Sequence, residues 1–167
     1  GNCIRNTTTD VFAGAAADEV EDPRPWCEII RQWSTIHPEF SFLPRKFKIA
    51  VIAAETDRAA IRTHDVGLQI VRGTDGGTAF RVFVGGGQGR LPHLAQEIAP
   101  AVPAVDLLAY LTAILRAWNL LGRRDNIHKA RIKVLVKAVG PAKFREMVDA
   151  EFEKSRDIAP VLTEAEI

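Results

Sequence analysis

The stretch from Val105 to Gly122 constrains the fold of this 167-residue chain more than any other feature. It ends at a glycine, the usual C-terminal stop of a helix, and Asp106, Arg116 and Asn119 interrupt it too often for a membrane span. Its large apolar side chains recur every three or four positions: Leu107, Leu108, Leu111, Ile114, Leu115, Trp118 and Leu121. This spacing predicts a helix in the core of a single soluble domain.

Strand patterns precede this helix and helical patterns follow it, apart from one early helix. The predicted strands are Lys46–Ala53, Val66–Arg72 and Ala79–Val84, and a glycine-rich turn joins the last two. Further helices are predicted from Pro23 to before Pro38, from Asn126 to Val139, and from Pro141 onward. An order of strands followed by clustered helices favours an α+β domain over a doubly wound α/β domain.

Charge and cysteine content exclude several classes of protein. The formal net charge of +1 gives no whole-domain reason to expect nucleic acid or a membrane as a partner. The two cysteines, Cys3 and Cys27, cannot supply the four thiolates of a conventional iron–sulfur cluster or a four-cysteine zinc site. The histidines show no metal-ligand spacing, and no secretory leader opens the chain. We therefore expect a cytoplasmic protein with no metal site of its own.

A short basic segment leads into the first predicted strand. In Pro44-Arg45-Lys46-Phe47-Lys48, strand alternation places Lys46 and Lys48 on one face. An anion lying across that face would relieve the repulsion between the two ammonium groups. The alternative is a solvated edge strand whose lysines discourage aggregation.

Two other segments lie next to predicted strands. The run Gly85-Gly86-Gly87 lets main-chain amides approach an anion closely, or simply forms a flexible turn. It does not match a dinucleotide fingerprint or a nucleoside-triphosphate loop. The pair His64-Asp65 suggests acid–base chemistry, but neighbouring residues of a strand point to opposite faces, which favours a structural histidine.

A third basic feature lies near the C-terminal helices. Between Arg123 and Arg145 the chain has eight basic residues and one acidic residue. Within that block, Lys129, Lys133 and Lys137 lie at four-residue steps. They form either a nucleic-acid-binding face or an ordinary solvated helix face.

Taken in order, these segments resemble the siroheme-containing sulfite and nitrite reductases, specifically the first of the two siroheme-contacting modules of the haemoprotein. The resemblance spans about Gly1 to Glu153. The string Leu43-Pro44-Arg45-Lys46-Phe47-Lys48, at this distance after Arg5-Asn6, is its most specific part. The other matching segments are Gly1–Asn6 with Ala13-Gly14, His64–Gly67, Val84–Arg90, Gly122–Asn126 and Ala130–Lys133.

The resemblance implies a nitrite/sulfite reductase 4Fe-4S domain-like fold, an α+β domain with a mixed, about five-stranded sheet covered by helices. It also implies that cations and main-chain amides bind siroheme, which is rich in carboxylates. Arg5, Lys46 and Lys48 would line the distal haem face, where the substrate anion binds, and would supply charge and protons. The cofactor-binding residues implied are Arg5, Asn6, Arg45, Lys46, Lys48, Asp65, Gly85, Gly86, Gly87, Gln88, Arg123 and Arg124.

The implied enzyme is an assimilatory sulfite reductase that reduces sulfite to sulfide with six electrons, with nitrite as a second possible substrate. Its electron donor would be ferredoxin or a flavoprotein subunit. Plant-type nitrite reductases tend to have asparagine at the position of Lys48, which favours sulfite here. No nucleic-acid or membrane partner is expected.

The chain also departs from the family pattern. The four cluster cysteines, one of which bridges the 4Fe-4S cluster to the haem iron, and one anion-contacting arginine find no match, and Gln88 replaces a common leucine. We expect a module at 1–155, a frayed tail or linker at 156–167, and no turnover without the remaining modules. The alternatives are a polyanion- or nucleic-acid-binding domain, and a degenerate reductase-like module with a structural role.

Overall fold

The computed structural model describes residues 2–156, so the expected tail, from 157 onward, lies outside the described residues. Its strands are β1 Ile4–Thr8, β2 Phe47–Ile52, β3 Val66–Arg72, β4 Thr78–Val84 and β5 Gln96–Pro103. Its helices are α1 Arg24–Ile36, α2 Leu107–Leu121, α3 Ile132–Val139 and α4 Pro141–Ser155. The strands form one sheet in sequence order, with β1, β2 and β3 parallel and β4 and β5 antiparallel to their neighbours. The α+β fold with a mixed five-stranded sheet is confirmed.

The helices pack against one face of the sheet and bury the main core. Helix α2 is central to it: Trp118 is fully buried and its ring lies 5.2 Å from that of Phe47 on β2, centroid to centroid. Segment Ala104–Leu121 is long and apolar enough to cross a membrane, but 67% of it is buried inside the domain. Its hydrophobicity is therefore explained by core packing.

A smaller apolar cluster covers the opposite face of the sheet. It comprises Ala50, Ile52, Ala54, Ile61, Phe83 and Ala95. A 3₁₀ turn at Ile61–Thr63 supplies part of this cover, and no α-helix of the described residues contributes to the cluster. Because Phe47 and Ile49 face the helices, alternation places Lys48 on this more open face.

The sequence patterns missed two strands. Strand β1 has few apolar residues, and β5 contains Pro100 and Pro103, which argue against a central strand. Both are edge strands, where polar residues and proline are tolerated. Because β1 pairs with β2, the interpretation of β2 as a lysine-protected edge strand is wrong.

Helix α3 begins later than the predicted start at Asn126. The Asn126 side chain accepts the main-chain N–H of His128 at 2.9 Å, and its carbonyl accepts that of Lys129 at 2.9 Å. These bonds stabilise a turn in competition with a helix. The helix therefore starts at Ile132, directly after Arg131.

Candidate anion-binding site

Strand pairing brings the predicted distal residues together at one end of the sheet. Strand β1 runs parallel to β2 with Ile4 opposite Phe47 and Asn6 opposite Lys48. The register therefore advances two residues on β1 for one on β2, and Arg5 is the extra residue of a β-bulge. Bulges redirect a side chain and are common beside functional sites.

The other predicted segments converge on the same end. The parallel strands β1, β2 and β3 begin there, and the antiparallel β4 finishes there, with Val66 opposite Val84. Asp65 immediately precedes β3, and Gly85 immediately follows β4. We call Arg5, Asn6, Lys46 and Lys48, which share this place, the basic end of the sheet.

The cations of the basic end lack acidic partners among the described residues. Arg5 is exposed and Lys46 and Lys48 are half-buried, and no side-chain hydrogen bond or ion pair to the rest of the described chain engages any of the three. Elsewhere arginines pair with carboxylates, as in Arg24–Asp22 at 2.6 Å and Arg58–Asp18 at 2.8 Å. The basic end is thus a concentration of uncompensated positive charge in a chain that is nearly neutral as a whole.

A buried ion pair contacts the main chain of Lys48, one of these cations. Asp65 is 1% exposed, and its Oδ2 accepts the main-chain N–H of Lys48 at 2.9 Å. Its Oδ1 accepts Nη2 of Arg131 at 2.7 Å and Nε at 3.2 Å. Burial raises the pKa of Asp65, and the Arg131 guanidinium opposes that rise. Both oxygens of this carboxylate are therefore directed into the protein.

Arg131 is a site residue that the sequence analysis did not single out. Its sequence context, Ala130-Arg131-Ile132-Lys133, resembles a basic helix start of the family, but a helix at 126–139 places Arg131 in mid-helix. In the structure it is the residue directly before α3, and its guanidinium pairs with Asp65. The displaced helix start therefore matters for the site.

The glycine run packs against the protein's own chain. A Cβ on Gly86 would lie 2.4 Å from the carbonyl oxygens of Arg62 and His64, and one on Gly85 would lie 2.9 Å from Cβ of Val136. Beyond Gly87, Lys133 donates from Nζ to the carbonyls of Gln88 at 3.0 Å and Leu91 at 2.7 Å. The segment 85–91, called the glycine loop below, is consequently packed tightly and held by Lys133, and it is not a flexible turn.

Lys133 also changes the interpretation of the lysine stripe. It is only 9% exposed, and burial lowers its pKa. Lys129 lies in the turn before α3, and Lys137 is exposed on the helix. Because the central lysine points inward to carbonyls, the three do not form a continuous basic face, which weakens the nucleic-acid interpretation.

The remaining predicted residues lie around this centre. Arg45 is half-buried in the segment before β2, and Gln88 is exposed in the glycine loop. Arg124 donates to the carbonyl of Phe42 at 3.1 Å and to the Asn119 side chain, close to the segment that leads into β2. Arg123 is exposed and pairs with Asp125. Arg123 is therefore already occupied locally, whereas Arg45 has no acidic partner within the described range.

The chemistry of this donor set fits a ligand rich in carboxylates together with a small oxyanion. Unpaired ammonium and guanidinium groups stabilise such anions, and a half-buried position strengthens the attraction relative to free solution. Within residues 2–156, no three His, Cys, Asp or Glu side chains are grouped so as to hold a metal ion. The cations of the basic end suit an anionic ligand.

Comparisons with known proteins find relatives over most of the chain. Residues 1–156 match the family described as the nitrite and sulphite reductase 4Fe-4S domain. A ferredoxin sulfite reductase of Mycolicibacterium paratuberculosis is 36% identical over 93% of this chain, which covers 28% of that protein. A chloroplastic ferredoxin–nitrite reductase of Arabidopsis thaliana is 30% identical over 87% of the chain and 26% of its own length. The chain thus spans little more than a quarter of these relatives.

A solved structure is also similar. The NirA protein of Mycobacterium tuberculosis superposes with a TM-score of 0.80 at 33% identity, over 97% of this chain and 29% of NirA.

Proposed function

The chain belongs to the nitrite and sulphite reductase 4Fe-4S domain family, and we propose that it is the module that binds siroheme and the substrate anion in an assimilatory sulfite reductase. The observation that supports the proposal is the basic end of the sheet. There the bulge at Arg5 lies opposite the Phe47–Lys48 step of β2, Lys46 directly precedes β2, and none of the three cations has an acidic partner among the described residues. Its relatives include proteins named as ferredoxin sulfite reductases and ferredoxin–nitrite reductases.

The residues of the basic end would act by charge and by proton supply. Siroheme, when bound, supplies the iron and the electron-transfer chemistry. Lys46 and Lys48 each hold protons at Nζ, so they attract sulfite and provide protons as its oxygens leave as water. The guanidinium of Arg5 would stabilise negative charge on the bound anion and would not act as a proton donor. Arg45 would bind a cofactor carboxylate. The expectation that the amides of the glycine run do so is not supported at two positions, because the N–H groups of Gly85 and Gly87 donate to the carbonyls of Asp65 at 3.0 Å and His93 at 2.9 Å.

The rest of the proposed enzyme lies beyond the described residues. The cluster thiolates, further cofactor contacts and the docking surface for a ferredoxin or flavoprotein donor would come from the remaining modules of the polypeptide. A module boundary near residue 155 and a cytoplasmic location are part of this proposal. Lys48, at a position where plant-type nitrite reductases tend to have asparagine, favours sulfite over nitrite.

The test compares lysine variants in the complete polypeptide. Lys46→Ala and Lys48→Ala should each lower sulfite turnover with reduced viologen at least about a hundredfold, because each removes a preorganised cation from the reacting anion. The siroheme absorbance should stay unchanged in both. Lys129→Ala, which removes an exposed lysine outside the basic end, is the matched control. Unchanged turnover in both variants would instead favour a degenerate, structural module.

A further inference from the structure

Asp65 connects two elements that meet at the basic end. One of its carboxylate oxygens accepts the N–H of Lys48 on β2, and the other accepts the guanidinium of Arg131 before α3. It is 1% exposed, so it is closed to solvent and to ligands. A direct contact with a carboxylate-rich cofactor would also place two anions together. Its geometry suits a support for the site better than a cofactor ligand.

The bond to Lys48 takes the place of a strand bond. The paired register of β2 and β3 begins at Ile49 opposite Val66, one residue after Lys48 and one after Asp65. The Lys48 amide is therefore held by a side chain at the point where the β2–β3 pairing begins. Fixing that amide constrains the backbone from which the Lys48 side chain departs.

Arg131 makes a buried carboxylate tolerable beside an anion site. An unpaired Asp65 would repel an incoming anion and would be costly to bury. Two hydrogen bonds from one guanidinium offset that charge and lock the carboxylate plane. The pair therefore orients the Lys48 main chain while leaving the ammonium group of Lys48 free.

We propose that Asp65 is a positioning residue of the anion site, which holds Lys48 in place through the Lys48 main-chain amide with Arg131 as its counterion. This role rests on the proposed function. It predicts that Asp65 affects anion binding only through Lys48, and that the Lys48 amide is protected in the folded protein.

Asp10 provides a matched control. Its side chain is also fully buried, it accepts the N–H of Phe12 at 2.5 Å, and it lies 3.4 Å from Nε of Arg58. It follows β1, at the opposite end of the parallel strands from Asp65. Asp10→Asn therefore removes a similar buried charge without touching the basic end.

The experiment uses the complete holoenzyme and titrates sulfite against the siroheme absorbance. Asp65→Asn puts a side-chain NH₂ donor opposite another donor, either the Arg131 guanidinium or the Lys48 main-chain N–H. Lys48 is then held less firmly, so the sulfite dissociation constant should rise about tenfold. In a Lys48→Ala background the same substitution should have less than a twofold effect. Asp10→Asn should leave the sulfite dissociation constant within twofold of the wild-type value, even if it lowers the thermal unfolding temperature as much as Asp65→Asn does.

The outcomes separate the two proposals. An equal effect of Asp65→Asn in both backgrounds, or no effect in either, would overturn the positioning role. If Asp65→Asn does not accumulate, Asp65→Glu decides by the same criterion, and fast hydrogen exchange at the wild-type Lys48 amide would overturn the role without any variant. A wild-type polypeptide that shows no siroheme response to sulfite would overturn the proposed function itself, and this role with it.

Discussion

Lys133 is a charged side chain that the protein uses internally. Its ammonium group bonds two carbonyls of the loop after β4. Lys133→Met keeps most of the apolar stem but leaves both carbonyls without their donor. We expect a loss of about 2 kcal/mol in the free energy of unfolding, measured with urea.

The comparison for that prediction is Lys137→Met on the same helix. Lys137 is exposed, so its replacement should change the free energy of unfolding by less than about 0.5 kcal/mol. Equal stabilities for the two variants would show that the loop does not depend on Lys133.

Tyr110 is the single tyrosine of the chain, which makes its titration readable by phenolate absorbance. Burial, followed by the nearby Asp149, raises the pKa of Tyr110, and its hydroxyl donates to Asp149 at 3.2 Å. In the unfolded chain the phenol ionises near its ordinary value of about 10. The stability of the folded state should therefore be unaffected below that pH and fall as the pH rises above it.

Tyr110→Phe isolates this effect. The variant should lose about 1 kcal/mol at neutral pH and show a smaller decline in stability above about pH 10. A wild-type phenol that titrates at its ordinary pKa in the folded protein would contradict the prediction.

At the scale of elements, a segment can be predicted when its own sequence pattern, and not a contact with a distant part of the chain, determines its structure. Strand β3, at Val66–Arg72, and helix α2 are defined by their own apolar periodicity, and both were predicted closely. Strand β1 owes its conformation to pairing with β2, which is some forty residues away in the chain, and its local pattern carries no such signal. The start of α3 depends on a side-chain bond of Asn126 that competes with helix propensity.

The glycine loop shows an element-scale requirement that is testable. Gly86 lies against the main chain of Arg62 and His64, so a methyl group there has no flexible neighbour to displace. We expect Gly86→Ala to cost about 3 kcal/mol in the free energy of unfolding, because the end of β4 must move away from the segment before Asp65.

A second glycine provides the control for this loop. At Gly77 an added Cβ would meet only the Asp75 side chain, at 3.3 Å or more. Gly77→Ala should therefore change the free energy of unfolding by less than about 1 kcal/mol, measured in the same urea titration. A Gly86→Ala variant as stable as Gly77→Ala would mean that the loop has room that the structure does not show.

At the scale of the whole molecule, the candidate site could be predicted only in part. The motifs around Arg5, Lys46 and Lys48 were readable because each is local, and the resemblance to a family linked them. Their convergence depends on the order β1-β2-β3 and on a bulge, which are long-range features. The Asp65–Arg131 pair joins residues 66 positions apart, so no local pattern reveals it.

The architecture also predicts that this chain is inactive without the rest of its polypeptide. The helices cover one face of the sheet, while Lys48 lies on the face with the smaller apolar cluster. The chain has two cysteines, fewer than the four thiolates of a conventional cluster. We therefore expect this chain alone to form no sulfide from sulfite with reduced viologen, whereas the complete polypeptide does so under the same conditions. Restoration of activity when the remaining polypeptide is added in trans would show that the module is folded and only incomplete, and turnover by the chain alone would contradict the prediction.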